Sequence, residues 1–341
     1  MKLSSRSSAS SSRGAALLAA MLTLTLVATL AAGAAWQQWR GVETERAERE
    51  RGQAAWLLIG SLDWARLILR EDARSGGADH LGEPWAVALQ ESRLSSFLAA
   101  DKTTAALMAD QANDDVFLSG QIQDMQARLN VYNLMEAGRI SPAALAAFAK
   151  LFDLQGLDIA ELNAMADNLR LASDLSPNSS DSARASLLPQ RVDQLTLLGL
   201  SSASLERLRP FICWLPGRTP VNVNTASAEV LYASVPGLEL ASARKIVSER
   251  QSQHFKSLAD VGKLLPAIAG QFNDGQHSVA SRYFEVTGRL RLAEGQRSTV
   301  VMERSVVQRD GLDVKILWRE RGSFQLAEGS STFEQLMRAP R

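Results

Sequence analysis

The feature that most constrains this chain is a run of twenty-one residues without a charge, AALLAAMLTLTLVATLAAGAA, at positions 15–35. A helix rising about 1.5 Å per residue crosses the ~30 Å hydrocarbon core of a bilayer in that length. The apolar core of a cleavable export signal usually runs only about 7–15 residues. Ahead of the run, MKLSSRSSASSSRG carries Lys2, Arg6 and Arg13 and no acid. That bias holds the N-terminus in the cytoplasm and sends the following chain outward. Three processing outcomes suit this start: cleavage at the small residues Ala32-Gly33-Ala34, an uncut signal anchor, or removal of the basic leader directly after Gly14.

From Trp36 to Asp72 there is no proline, and Gly41, Gly52 and Gly60 are isolated. The pattern predicts one helix of more than fifty residues. Charges of alternating sign over residues 40–51, with pairs such as Glu45 and Arg49 four apart, suit solvated turns just outside a membrane. Trp56, Ile59, Leu62, Ala65 and Leu69 follow at helical spacing and predict a face that must be buried.

The remaining length allows two folded units. Hydrophobic residues at 46% and charged residues at 22% are ordinary globular usage. The formal net charge is zero, yet three of the 37 basic residues sit in the leader, leaving 34 against 37 acids. A slightly acidic body lacks the electrostatic footprint of a nucleic-acid binder. Cys213, the single cysteine, excludes an intramolecular disulfide and a multi-cysteine metal site.

Val116, Leu118 and Ile122, then Leu129 and Val131, alternate as two short strands over residues 116–134. In SRYFEVTGRLRL, 281–292, Phe284, Val286, Leu290 and Leu292 share one face, with Glu285, Thr287, Arg289 and Arg291 on the other. Residues 300–307 and 314–319 supply two more strands around the turn signal Asp310-Gly311. The alternation predicts an antiparallel sheet with one wet face and one face covered by the N-terminal helix. Between the strand groups, 135–280 reads as helical, with breaks at Ser176-Pro177-Asn178, Leu215-Pro216-Gly217 and Gly270. The fold class expected is therefore α+β, with a large all-α domain inserted.

Catalytic patterns are scarce. His80, His254 and His277 lack metal-ligand spacing, and Ser242 to Lys245 is an S-x-x-K coincidence without its partner motifs. There is no phosphate-binding glycine loop, and no enzyme is expected. Residues 222–261 resemble a helix-hairpin-helix module. Thr225 or Ser227 would cap its first helix, Pro236-Gly237 would make the turn, and Phe255 with Leu258 would pack its end. Where DNA-binding hairpins carry a second glycine this one has Glu239, and Glu229 adds charge that repels phosphate, which favours a structural hairpin. A membrane-tethered, competence-type DNA-binding protein is the alternative reading.

A basic leader ending in Gly14, an apolar helix and an amphipathic continuation resemble the type IV pilin and pseudopilin family. In most members the fifth mature residue is Glu, thought to pair with a neighbour's N-terminus; here it is Ala19. That departure resembles the K-type minor pseudopilins of type II secretion systems, whose place at the tip leaves no subunit above. LREDARSGGADHLGEPWA (69–86), LSGQIQDMQARLNVYNL (118–134) with its D-x-Q-x-x-h-N-h-x-N run, and VNVNTASAEVL (221–231) resemble further K-family stretches, in the same order. Residues 90–115 depart from it and read as an extra amphipathic helix.

The resemblance implies a prepilin-peptidase cut between Gly14 and Ala15, methylation of Ala15, and a single span in the bacterial inner membrane. The expected parts are the leader (1–14), the span (15–35), the amphipathic half-helix (36–72) and a first pilin-like segment (73–134). The helical insertion (135–280), closing strands (281–321) and a tail (322–341) follow. It implies as partners the I-, J- and H-type minor pseudopilins, the major pseudopilin, the peptidase and secreted proteins, and not nucleic acid. Calcium is a further possibility that the resemblance raises. Asp124, Asn113-Asp114-Asp115 and Asn273-Asp274-Gly275 are candidate ligands without EF-hand spacing, and each is more simply a turn or a solvated loop.

Overall fold

The computed structural model describes residues 12–99, 116–174, 185–294 and 297–322. The leader up to residue 11, the Ser176-Pro177-Asn178 break, Asn113-Asp114-Asp115, most of the expected extra helix and the tail beyond 322 lie outside them. The chain divides into two compact units, residues 1–56 and 57–341.

Helix α1 runs unbroken over Ser12–Ser75. Over residues 15–35 it is apolar all round, with Leu18, Leu22, Leu24 and Leu30 each more than half exposed, the pattern of a lipid-facing helix. The hydroxyls of Thr23, Thr25 and Thr29 donate back to the carbonyls of Ala20, Leu22 and Leu26. These residues therefore bring no unpaired polar group into the apolar stretch. Trp36 and Trp39 follow it with ring centroids 5.3 Å apart, at the level where aromatic side chains settle in a membrane interface. Glu45 and Arg49 pair at 2.9 Å as their spacing predicts.

In the second unit α1 buries Leu58, Leu62, Ala65 and Leu69. The expected face was partly wrong: Trp56 is 75% exposed. Successive i+3 steps each fall about 60° short of a full turn, so three of them carry Trp56 to the side opposite Ala65. The buried positions of the stripe keep their register through Leu58, an i+4 step before Leu62, and not through Trp56.

That stripe covers a five-stranded antiparallel sheet in the order β1 (Leu89–Arg93), β2 (Val116–Asp124), β9 (Tyr283–Glu294), β10 (Arg297–Asp310) and β11 (Asp313–Arg321). The register aligns Ile122, Val286 and Ser305 across three strands, and Gly120, Gly288 and Glu303 beside them. Leu62, Ala65 and Leu69 pack with Trp85, Ile122, Phe284, Val286, Val307 and Val314. Each fully buried large side chain there contributes on the order of 2 kcal/mol. Gly311, at φ +57°, makes the β10–β11 turn.

Two expectations change here. Residues 90–93, assigned to an extra helix, belong to β1, and among the described residues the helix α2 covers Leu94–Ala99. Glu91 draws this segment into the sheet by bonding Arg289 and Arg291 of β9. Nor is the second sheet face simply wet, because Glu285 and Thr287 are buried. Tyr283 and Val306 on that face pack with Met125, Cys213 and Leu215, so the sheet carries cover on both sides at this end.

Between β2 and β9 lie α3 (Pro142–Leu154), α4 (Ile159–Ser173), α5 (Ser202–Leu208), α6 (Ala228–Ser234), α7 (Leu240–Ser252) and α8 (Leu258–Leu264). Phe148, Phe152, Leu162, Leu169, Leu231 and Ile246 belong to their shared core. Local chemistry starts these helices: Asp158 caps α4 and Ser201 caps α5, and Ser257 with Asp260 forms a capping box on α8. The region is not helical throughout, as the pattern suggested. Two-residue strands β3 (Leu129–Asn130), β4 (Met135–Glu136), β5 (Arg139–Ile140), β6 (Ile212–Cys213), β7 (Val221–Asn222) and β8 (His277–Ser278) lie in and before it. The pairs β3–β6 and β7–β8 are parallel.

Candidate functional site

The three stretches 69–86, 118–134 and 221–231 converge on one buried polar junction. At its centre Asp124, the last residue of β2, accepts from the Gln126 amide through Oδ1 at 2.7 Å. Its Oδ2 accepts from Thr225 Oγ1 at 2.5 Å, Ser281 Oγ at 2.6 Å and Asn222 Nδ2 at 3.2 Å. Asn222 Nδ2 also donates to the Asp79 carbonyl and to Ser281 Oγ. Burial pushes the Asp124 carboxyl up to about 6, against the lowering effect of its hydroxyl donors.

Asp79 extends the junction toward α1. Its Oδ2 accepts from the Ser281 amide at 2.6 Å, and its Oδ1 pairs with Arg309 at 2.5 Å. Arg309 also bonds Asp72 at 2.5 Å and donates to the Ser281 carbonyl at 2.8 Å. Desolvation raises both carboxyl groups from their ordinary values, and Arg309 offsets part of that rise. One guanidinium thus ties the end of α1, the loop after it and β10 together.

The rest of the D-x-Q-x-x-h-N-h-x-N run binds the connector before α6. Gln126 donates to the Pro220 carbonyl and accepts from the Arg282 amide. Asn130 donates to the Gly217 carbonyl at 2.7 Å and accepts from the Leu215 amide. Asn133 pairs with both the amide and the carbonyl of Thr219. Asn224 does the same with Phe255 at 2.9 Å on each side. These amides satisfy buried backbone that has no ladder partner, so what the motif residues share is a seam between sheet and helices.

Within 222–261, α6 and α7 flank the turn at Pro236-Gly237, with Gly237 at φ +70°. Ser227, and not Thr225, caps α6 by accepting from the Val230 amide; Thr225 is spent on Asp124. Lys150 of α3 caps the hairpin, donating to the carbonyls of Tyr232, Val235 and Leu238 and lying 4.3 Å from the Tyr232 ring centroid. Desolvation lowers its ammonium from the ordinary value. A hairpin closed by a lysine from its own core, with Glu239 exposed at the turn, is built for packing.

The calcium candidates fare differently. The Asn273 carbonyl accepts from the Gln276 and His277 amides, closing a turn. Asp124 is filled by hydrogen-bond donors. A trio absent from the expected set, Asp72, Asp79 and Glu83, brings carboxylate oxygens within 4.8 Å of one another. Arg309 already supplies the cation there, and Glu83 accepts from the His80 amide and Trp85 Nε1. With its oxygens committed to these donors, the set does not fit calcium.

His80 and His254 stack with centroids 3.8 Å apart, while His277 is buried against Phe272; desolvation pushes His277 down to about 4. Ser242 and Lys245 lie one turn apart on α7, with Lys245 exposed. Gly14, Ala15 and Ala19 are exposed on the first turns of α1 and no Cβ placed on Gly14 would meet a neighbour. Sequence reasoning missed Arg309 and Ser281. Arg309 had a signal: it shares the parity of Val301 and Val307 along β10 and so falls on the covered face.

A long N-terminal helix whose second half packs on an antiparallel sheet, with helices between the sheet's strands, defines a pilin-like α+β protein whose apolar first half is long enough for a single-pass anchor. Two family models described as "Type II secretion system (T2SS), protein K" match residues 127–217 and 221–280. The chain is 27% identical to the type II secretion system protein K of Pseudomonas aeruginosa, over 91% of this chain and 92% of that one. It is 26% identical to the Klebsiella pneumoniae protein K, over 93% and 98%. A similar fold occurs in the crystal structure of the GspK-GspI-GspJ complex of enterotoxigenic Escherichia coli, with a TM-score of 0.62 and 18% identity. That match covers 82% of this chain and 99% of the other. Together these matches support identification with the type II secretion system protein K family, the K-type minor pseudopilins.

Proposed function

We propose that this protein caps the tip of the secretion pseudopilus and helps to initiate its assembly, with no catalytic role. The observation that carries the reading is the exposed apolar helix with Ala19 at the position where other pilins place Glu. A subunit without that carboxylate makes no pairing to a neighbour's N-terminus above it, and the helices between β2 and β9 supply bulk that hinders further addition. Residues 15–35 sit in the inner membrane, with the leader in the cytoplasm and the second unit in the periplasm. Its partners are the I-, J- and H-type minor pseudopilins and the major pseudopilin; the complex known for the E. coli relative, with GspI and GspJ, supports the first two.

Prepilin peptidase cleaves between Gly14 and Ala15, and Ala15 becomes methylated. Mass spectrometry of the mature N-terminus, with and without the peptidase, tests this. The expected species begins at methylated Ala15 and depends on the peptidase; a start at Trp36 or an uncut Met1 in its presence refutes it.

A further inference from the structure

Beneath the second half of α1 lies a pocket of about 270 Å³. Its walls are α1 from Leu58 to Ile68, the segment 84–89, and strands β2, β9 and β10. A cavity of roughly 150 Å³ lined by aliphatic side chains suffices for benzene, so this one accommodates a bicyclic ring. Most of the wall is apolar, with Leu58, Leu62, Ile122 and Val286 contributing.

The floor breaks that pattern. Glu303 and Ser305, two residues apart on the same face of β10, both line the pocket and are 3% and 1% exposed. Arg321 donates to Glu303 Oε2 and Arg319 Nη1 stands 4.0 Å from Oε1, beyond hydrogen-bond reach, so that Glu303 Oε1 and Ser305 Oγ have no hydrogen-bond partner. Buried polar atoms without partners are uncommon and cost about 1–3 kcal/mol each. The opening is rimmed by Val87, which is 70% exposed. An apolar pocket with a few polar atoms on its wall is the ordinary form of a small-molecule site.

We propose that this pocket binds a small apolar ligand carrying one hydrogen-bond donor, which bonds Glu303 Oε1 while its ring lies between α1 and the sheet. The inference does not depend on the tip-capping role. Indole and indene test it, because they share size and shape and differ by one N–H. Each is titrated calorimetrically into the full-length protein in detergent micelles, with protein-free micelles as the blank. Indole is expected to saturate one site per chain and to bind about tenfold more tightly than indene, the effect of one hydrogen bond to a carboxylate. In Glu303→Gln that ratio falls to about one while the indene affinity holds. Equal affinities in the unmodified protein, absence of saturable binding, or a ratio that survives Glu303→Gln overturns the proposal. Should Glu303→Gln not fold, Val87→Trp at the exposed rim is expected to weaken both ligands at least tenfold, and unchanged affinities there overturn it equally.

Discussion

Replacing Arg309 with Met tests the junction at its most consequential point. Met keeps much of the apolar stem beside Phe284, whose ring centroid lies 4.8 Å from the guanidinium carbon, and removes the charge. Arg309 side-chain exposure is 10%, and its partners Asp72 and Asp79 are 11% and 4% exposed. Breaking a buried pair from one side leaves uncompensated charge and typically costs about 3–5 kcal/mol. Two carboxylates lose their partner here, so the upper half of that range is expected at pH 7.5. The assay is denaturant unfolding of the full-length protein in micelles, followed by tryptophan fluorescence. The cost should depend on pH with a definite sign. Without Arg309 the folded-state values of Asp72 and Asp79, already raised by desolvation, rise further. The native variant then binds more protons than the unfolded chain above pH ~4, so its stability increases as pH falls. The gap from the unmodified protein should therefore narrow between pH 7.5 and 5. A cost below about 1 kcal/mol at pH 7.5, or a gap that widens on acidification, refutes the reasoning.

Asp124→Asn should remove a pH dependence of the unmodified protein. With the folded carboxyl raised to about 6 from its ordinary 3.8, stability from this group is present at low pH and lost as pH rises from about 4 to 6, by roughly 3 kcal/mol. The Asn variant should be flatter across that window, yet destabilised by about 1–3 kcal/mol at low pH because its amide faces the Asn222 Nδ2 donor; equal slopes in urea titrations at stepped pH disprove the assignment. Gly120→Ala places a Cβ 2.8 Å from the Thr287 carbonyl oxygen, whereas at Gly288 the neighbour is the flexible Leu58 Cδ2 at 3.1 Å. Gly120→Ala should therefore lower stability by about 1–3 kcal/mol and Gly288→Ala by less, measured by thermal melting; the reverse order contradicts the sheet register. Lys150→Met should free the carbonyls closing the hairpin and cost about 1–3 kcal/mol, with hydrogen exchange accelerating at Leu238 and Leu240 before the rest of α7; unchanged exchange there removes Lys150 as the cap.

Within the fold, legibility followed the range of the interactions. The turn at Asp310-Gly311, the Ser227 cap and the strand along 281–292 are local, and each formed where the residues pointed. Trp56 and residues 90–93 did not, since a single apolar position is compatible with several helical registers and a short segment takes its structure from Arg289 and Arg291 two hundred positions away. The candidate site divides the same way. Asp124, Gln126, Asn130 and Asn133 stood out as a spaced run, but nothing in the run says that their partners are Thr225, Ser281, Pro220 and Thr219.

By itself, the sequence determined that residues 15–35 are long and apolar enough to cross a membrane, that basic residues precede them, that recognised catalytic patterns are absent from it, and the α+β alternation. Those properties depend on composition and on periods of two and 3.6 residues, which neighbours along the chain carry. Only the tertiary structure decided that three separate polar stretches close on one buried carboxylate, that Arg309 is shared by Asp72 and Asp79, and that Glu303 and Ser305 lie under a helix. Burial and pairing across hundreds of positions set those outcomes, because the cost of a charge depends on what surrounds it and not on what precedes it in the chain.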